Sequence, residues 1–510
     1  MYLSKINIQK IPVTNALQLP DASMFLLPEK VLQFGTGVLL RALPDFIIDK
    51  ANKENRFNGR IVMVKSTAGG DTGAFDRQDG LYTVCVRGID DGKRIEENHI
   101  ISSVSRVLPA LTQWDAVLEI AANPQMQVII SNTTEVGISL IKDDVFGTPP
   151  QSFPGKLLSF LHRRFTVFDG DPTRGMVVIP TELIPGNADK LLAIVKELAR
   201  QNNLEISFLD WLEHANYFCN SLVDRIVPGK PALAEKQKVE DSLGCRDELM
   251  IMCETYALWA IQSGNEKVKK ILSFASTDTG VVIEADISKF RELKLRLLNG
   301  PHTFSCGLAW LAGFKTVREA MNNEHFSGYI MQLMFDEIIP AIAGETISKN
   351  DAKIFAAKVV DRFRNNFMDH QWLSICLQYS SKMRLRNIDV IANYIRRLDT
   401  PPSHMAMGMA AHILFMKTTP APDGKFYGQC NGSKYLVEDQ HAALYADYWK
   451  NNAVESLVNK ILNNEELWGI DLTGLNGFEA GVYRWLQLMV QKGVVYALQQ
   501  HDNAKIFAGQ

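Results

Sequence analysis

The sequence predicts an α/β domain followed by a mostly helical one. Short apolar runs, Lys30-Val-Leu-Gln-Phe34, Arg60-Ile-Val-Met-Val64, Leu81-Tyr-Thr-Val-Cys-Val-Arg87, Met126-Gln-Val-Ile-Ile-Ser131 and Gly175-Met-Val-Val-Ile-Pro180, are interleaved with helical stretches such as 111–122 and 155–164. That alternation builds a mostly parallel sheet with helices on both faces. After about residue 245 the texture changes, and long patterns of helical period take over. A chain of 510 residues is too long for one core. We therefore expect 1–285 to form the first domain and 286–510 the second.

Residues 1–28 are a polar lead-in closed by Pro28. The first strand, 30–34, runs into Gly35-Thr-Gly37, and Leu43, Phe46, Ile47 and Ala51 then mark one helix face. Pro44 fits only the first turn of that helix, so the glycine turn is expected to extend to about Ala42. Gly35 would permit a tight turn, and Gly37 would let backbone N–H groups approach a pyrophosphate. This is a Rossmann-like, dinucleotide-binding opening, although Leu40 stands where a third glycine is usual. The second strand ends Val64-Lys65-Ser66, with Asp71 beyond it, so no acid is fixed for a ribose hydroxyl, and NAD or NADP stays open. Ser131-Asn-Thr-Thr-Glu135 follows a buried strand at the edge where open α/β sheets bind ligands. Glu135 there is a proton relay or a helix-capping carboxylate.

In the helical half we expect helices over 247–262, 287–299, 303–322, 327–342, 350–365, 370–382, 404–416, 439–462 and 477–500. Ile271–Phe274 and Val281–Ile283 could add strands, while Pro401-Pro402 and Thr418–Gly424 read as loops.

Bulk composition excludes several classes. The net charge of −3 and even spread of lysine and arginine argue against nucleic-acid and membrane-surface partners. Seven irregularly spaced cysteines without a Cys-x-x-Cys pair suit a reduced compartment. With no apolar leader after Met1-Tyr-Leu-Ser-Lys-Ile, a cytoplasmic location is expected. No His, Cys or carboxylate spacing suggests a metal site.

Chemistry concentrates in Lys294-Leu-Arg-Leu-Leu-Asn299-Gly300-Pro301-His302. A buried lysine can serve as general acid or base, an Asn amide can steady a developing oxyanion, and histidine can orient a hydroxyl. An unbroken helix would place Lys294 and His302 about 12 Å apart along its axis. A break at Gly300-Pro301 is expected to turn them inward, at the junction of the two domains. The plain reading is an exposed basic stretch, Lys289–Arg296, followed by a helix stop. Further on, Arg362, Arg364, His370, Lys382, Arg384 and Arg386 form a cationic stretch. On one helix His370, Ser374 and Gln378 would share a stripe, with Lys382 a turn beyond, able to hold a carboxylate or simply solvated. Val223-Asp224-Arg225-Ile226 is a charge pair in an apolar segment, for which a structural ion pair is the plain reading.

Phe34-Gly-Thr-Gly-Val-Leu-Leu-Arg-Ala42, Gln78-Asp-Gly-Leu-Tyr-Thr83, Ser131-Asn-Thr-Thr-Glu-Val-Gly137, Leu222-Val-Asp-Arg-Ile-Val227 and the Lys294/Asn299/His302 set occur in an order that resembles the long-chain mannitol dehydrogenase family. Leu39-Leu40 and Thr181-Glu182-Leu183 depart from the sugar-alcohol and fructuronate members, whereas Ser131–Gly137, Phe218–Arg225 and Arg362–Arg386 are similar to another hexuronate-acting branch. Asn366 replaces a proline usual in that branch. The resemblance implies metal-independent hydride transfer between NAD and a polyol or its ketone, with a small hexuronate as partner and the oligomeric state open. It implies Lys294 as acid/base, Asn299 and Asn187 polarising the ketone oxygen, and His302 positioning substrate. Phe34, Gly35, Thr36, Gly37, Val38, Leu39, Leu40, Arg41, Asn132, Thr133 and Asp224 would meet the cofactor. Glu135, His370, Lys382 and Arg386 would meet the substrate. The epimer accepted, a sugar-phosphate substrate, or a non-catalytic nicotinamide-binding sensor remain alternatives, the last opposed by the intact lysine set.

Overall fold

The first strand of the chain's main sheet carries four consecutive buried residues, Val31–Phe34, because both of its faces are covered. The computed structural model describes residues 1–11, 17–67, 69, 72–133 and 136–501. It divides into two compact units, one of Met1–Gly88 with Arg94–Ile287, the other of Ile89–Lys93 with Ser288–Gln510. Among the described residues no helix is long and apolar enough to cross a membrane.

In the first unit the sheet comprises β1 (Glu29–Phe34), β2 (Arg60–Lys65), β3 (Val104–Pro109), β4 (Val128–Ser131), β5 (Val177–Pro180) and β6 (Tyr217–Phe218). Every pairing is parallel and the order is β3-β2-β1-β4-β5-β6. Strand order therefore reverses between β1 and β4, which opens a crevice at their carboxyl ends. Successive side chains point to opposite faces. Val31, Ile61, Met63, Val128 and Ile130 pack on one side with Leu40, Ile47 and Ile48. Leu32, Phe34, Val62, Val64 and Ile129 pack on the other with Val117, Leu157, Leu161 and Leu191. Ser152 starts the helix Phe153–Val167 by accepting from the Gly155 N–H, and Pro154 sits harmlessly in its first turn.

Two expectations for this unit are corrected. The apolar run at 81–87 is a strand, Tyr82–Asp90, but it belongs to a separate four-stranded sheet with Leu17–Gln18, Lys93–Ile101 and Ile251–Cys253. The stretch 247–262 is not a helix. It forms the strands Ile251–Cys253 and Leu258–Gln262, the second lying between Ser221–Asp224 and Val281–Glu284. Local leucine and alanine favour a helix there, but Ile251, Trp259 and Ile261 are buried by strand pairing, and tertiary packing overrides propensity.

In the second unit the expected break at Gly300-Pro301 does not occur. The chain runs from Ser288–Leu293 through a π-helical turn, Lys294–Asn299, into Gly300–Leu311. Proline lacks an N–H and its ring collides with the carbonyl four residues back. Widening the preceding turn to i→i+5 bonds, as in Gly300 N–H to Leu295 O, relieves that collision while the chain stays helical. The same device recurs at Leu333–Ile338, ahead of Pro340. The stretch 370–382 is also corrected. Trp372–Ile375 is one isolated turn, and Gln378, with φ of 51°, restarts the chain as Tyr379–Leu398. Of the segment expected to be loop, Thr418–Pro420 is a strand of a small antiparallel sheet completed by Phe426–Cys430 and Ser433–Leu436.

Candidate functional site

At the end of β1 the Gly35 N–H bonds to Val64 O at 3.0 Å, and its φ is 128°. A Cβ there would lie 2.8 Å from Leu40 Cδ1 and 3.3 Å from Asn132 O, so only glycine fits. Leu40 fills the place of a third glycine by packing over the turn. The turn is shorter than expected. It ends at Gly37, which caps the single helical turn Val38–Ala42, and the helix Pro44–Lys53 follows after Leu43. A Cβ on Gly37 would meet nothing within 4 Å, so the backbone from Thr36 to Gly37 faces open space.

The structure redistributes the roles expected along this segment. Phe34 and Leu40 have no exposed surface and shape the turn from beneath, while Val38 and Leu39 lean half-buried on the core. Arg41 points inward. Its guanidinium donates to Leu249 O at 2.7 Å and lies over the Tyr82 ring at 5.3 Å. Burial lowers its pKa, against the nearby Tyr82, Asp45 and Asp247. Arg41 is thus a brace rather than a phosphate ligand. Lys65 closes β2 and donates to Thr67 O.

The carboxyl ends of β1, β4 and β5 are tied together by polar groups. Asn132 N–H reaches Phe34 O at 3.2 Å, and its amide donates to Thr181 O and Oγ1 at 3.1 and 3.0 Å. The buried Glu182 carboxylate accepts from Thr133 N–H at 2.8 Å, Thr133 Oγ1 at 3.0 Å and Ser131 Oγ at 3.2 Å. Burial raises the Glu182 pKa while these donors hold it down. Sequence reasoning had given Glu182 no role. Its signal was an acid directly after an apolar strand. Glu135 and Asp71 lie outside the described residues.

Asn187 is a correction. It is fully buried, and its amide donates to Pro180 O, Glu182 O and Ser221 O at 3.0, 3.0 and 3.1 Å while its oxygen accepts from Ser221 N–H at 3.0 Å. An amide so committed has no N–H left for a ketone. Asp224 is buried at the end of its strand. Its neighbour Arg225 holds backbone carbonyls, Glu254 O at 3.0 Å and Ala42 O, rather than serving in the expected ion pair.

In the second unit the π turn sets the geometry. On a regular helix residues i, i+5 and i+8 stand at about 0°, 140° and 80° round the axis, on no common stripe. An i→i+5 turn absorbs one extra residue. Lys294, Asn299 and His302 therefore behave as i, i+4 and i+7 and fall within about 60° of one another. They share one helix face.

His302 is buried, stacks on Phe363 at 4.1 Å and meets the edges of His370 and Trp372 at 5.4 and 6.0 Å. Its Nε2 has no partner. Burial, then the charges of His370, Arg362 and Arg386, push its pKa well down, so the ring is neutral. Arg386 donates to Thr303 Oγ1 at 3.0 Å, and Lys382 donates to Ile375 O at 3.0 Å. Partial burial and Arg386 lower the Lys382 pKa. His370, although on a solvent-exposed residue before the helix, has its ring enclosed enough that burial, then Lys382 and Arg362, lower its pKa. Arg296 anchors the π turn, reaching Glu292 and Asp389 at 3.1 Å each and Arg386 O at 2.6 Å. The buried Asn387 donates to Gly300 O at 3.3 Å. The structure thus brings His302, His370, Lys382 and Arg386 together and adds Arg362. Among the described residues no group of three or more His, Cys, Asp or Glu is placed to hold a metal ion.

Residues 29–272 match the mannitol dehydrogenase Rossmann domain, and 286–489 match the mannitol dehydrogenase C-terminal domain. The chain belongs to the mannitol dehydrogenase family. Within the family, the altronate oxidoreductase of Halalkalibacterium halodurans is 36% identical, covering 92% of this chain and 93% of that one. The altronate oxidoreductase of Bacillus subtilis is 34% identical over 93% and 95%. Two solved structures share the fold. A mannitol 2-dehydrogenase of Pseudomonas fluorescens, in ternary complex with NAD and D-mannitol, superposes with a TM-score of 0.65 at 22% identity, covering 99% of this chain and 100% of that one. A substrate-free D-sorbitol dehydrogenase gives 0.76 at 20% identity, covering 98% and 100%.

Proposed function

We propose that this protein is an NAD-dependent oxidoreductase of the cytoplasm that interconverts D-tagaturonate and D-altronate. Support comes from the altronate oxidoreductases it resembles over nine-tenths of its length. The observation that carries the chemistry is the single helix face bearing Lys294, Asn299 and His302, next to the cations Arg362, Lys382 and Arg386. A uronate adds a carboxylate to a ketose, and a cluster of fixed cations suits it. In this reading residues 1–285 hold the cofactor and 286–510 carry the substrate.

The cofactor fits the crevice between β1 and β4, where the open approach at Gly37 leaves room for a pyrophosphate and Gly35 keeps the turn tight. Bound there, NADH supplies the hydride. Lys294 gives its proton to the ketone oxygen of tagaturonate, and in the reverse direction neutral Lys294 takes it from the altronate hydroxyl. The Asn299 amide steadies the oxygen as negative charge grows on it. Neutral His302, with Nε2 unpartnered, orients a substrate hydroxyl. Lys382, Arg386 and His370 hold the carboxylate.

The test is a substrate panel of tagaturonate, fructuronate, fructose and fructose 6-phosphate, each with NADH and NADPH. The reading requires tagaturonate with NADH to give the highest kcat/KM. A higher value for fructuronate would move the assignment to the other epimer, and one for fructose 6-phosphate would discard the uronate altogether.

A further inference from the structure

At the amino-terminal edge of the parallel sheet lies a cavity of about 430 Å³, walled by Lys30, Arg56, Lys267 and Lys270 with the amides of Asn58 and Gln127 between them. Among the described residues no carboxylate lines it. The strand starts create it. Lys30 is the second residue of β1, Gln127 directly precedes β4 and bonds Lys30 O through its N–H at 2.9 Å, and Arg56–Asn58 lead into β2. Lys267 and Lys270 are three apart on the helix Glu266–Ile271, hence on one side of it. The six residues of β1 span about 20 Å, so this edge is remote from the Gly35 turn.

Among the described residues none of these four cations is in an ion pair. Lys30 Nζ donates to Phe57 O at 2.9 Å and lies over the Phe57 ring, and Lys267 lies over the Tyr217 ring at 5.5 Å. The adjacent acids are engaged elsewhere, Glu29 with Arg106 at 3.0 Å and Glu266 with Lys269 at 2.8 Å. Partial burial lowers the Lys30 pKa, a sign that its charge is poorly solvated. Four like charges round one hollow repel each other in the free protein, and an anion removes that repulsion. The hollow has the size of a small-molecule site, and the Gln127 amide adds a neutral donor that fixes orientation.

We propose that this cavity binds a phosphorylated small metabolite through its phosphoryl group, separately from cofactor and substrate. Arginine and lysine around a compact site match the charge and the several acceptor oxygens of a phosphoryl dianion.

Isothermal titration of the full chain with inorganic pyrophosphate tests this, at constant ionic strength and with NADH present so that the crevice between β1 and β4 is filled. One saturable event is expected. Lys267→Glu with Lys270→Glu should weaken it at least tenfold, and Lys267→Gln with Lys270→Gln should weaken it in the same direction with less disturbance of the fold. Lys142→Glu with Lys238→Glu, an equal charge change at exposed positions elsewhere, should leave it unaltered. Competition by glucose 6-phosphate assigns the site to sugar phosphates, and absence of competition assigns it to diphosphate groups. No saturable binding to the parent, or equal weakening by the two charge-reversed pairs, overturns the proposal.

Discussion

Lys294, Asn299 and His302 each bring a different kind of group to one helix face: an amine, an amide and a neutral ring. If the lysine moves the proton, Lys294→Ala lowers kcat at least about a hundredfold while NADH still binds. Turnover within a few-fold of the parent would remove the lysine from the mechanism. Lys382 poses a sharper question, because its amine also holds Ile375 O. Lys382→Met should raise KM for tagaturonate at least tenfold and leave any activity on neutral tagatose nearly unchanged. Equal losses on both sugars would give Lys382 a purely structural role.

At the scale of elements the two glycines of the β1 turn should separate cleanly. Gly37 has backbone angles open to any residue, φ −64° and ψ 157°, and empty space beside it. Gly37→Val should weaken NADH binding about tenfold in a fluorescence titration without changing the melting temperature. Gly35→Val should instead destabilise the unit, since backbone strain alone costs about 1–3 kcal/mol and the side chain meets Leu40. The reverse pattern would place the cofactor elsewhere. Much of this unit is legible from sequence, because strands buried on both faces read as unbroken apolar runs bounded by glycine and proline. Direction is not legible. Arg41 and Asn187 stand in the right segments, yet one guanidinium turns into the core and one amide is consumed by three carbonyls. Leu258–Gln262 reads as helix because its pairing partners, Ser221–Asp224 and Val281–Glu284, are distant in sequence. In the second unit the residues 370–382 have helical period, but the left-handed Gln378 splits them. His370, Lys382 and Arg386 still gather round His302, for a reason their expected stripe did not contain.

For the molecule as a whole, Asp45 links stability to pH. Its carboxyl has no exposed surface, and burial raises its pKa to about 7, against the hydrogen bond from Tyr82 and the charge of Arg41. An unfolded chain would release that proton near 3.8. The folded state therefore holds a proton that the unfolded state has lost. Its stabilising contribution is complete below about pH 3.8 and disappears as pH rises through about 7. Asp45→Asn cannot ionise. Its melting temperature relative to the parent should climb between pH 5 and pH 8, by an amount equivalent to a few kcal/mol at most. A constant difference across that range would mean that Asp45 titrates as an ordinary carboxylate.

The π turn also makes length, and not only residue type, part of the reactive face. Gln332 and Glu337 show the same arithmetic at the second π turn. They are five apart, yet both grip His404, at 2.7 and 2.8 Å. In the first turn Leu295 is half-buried and carries no anchoring bond of the Arg296 kind. A substitution scan should pass over it, with Leu295→Met leaving kcat within a few-fold. Adding one residue after Leu295 should instead leave a folded chain whose Lys294 has swung about 100° off the face of His302, because the turn already absorbs its one extra residue. That insertion should abolish turnover while a circular dichroism melt stays near the parent's. An insertion variant that retains activity would show that the face is assembled some other way.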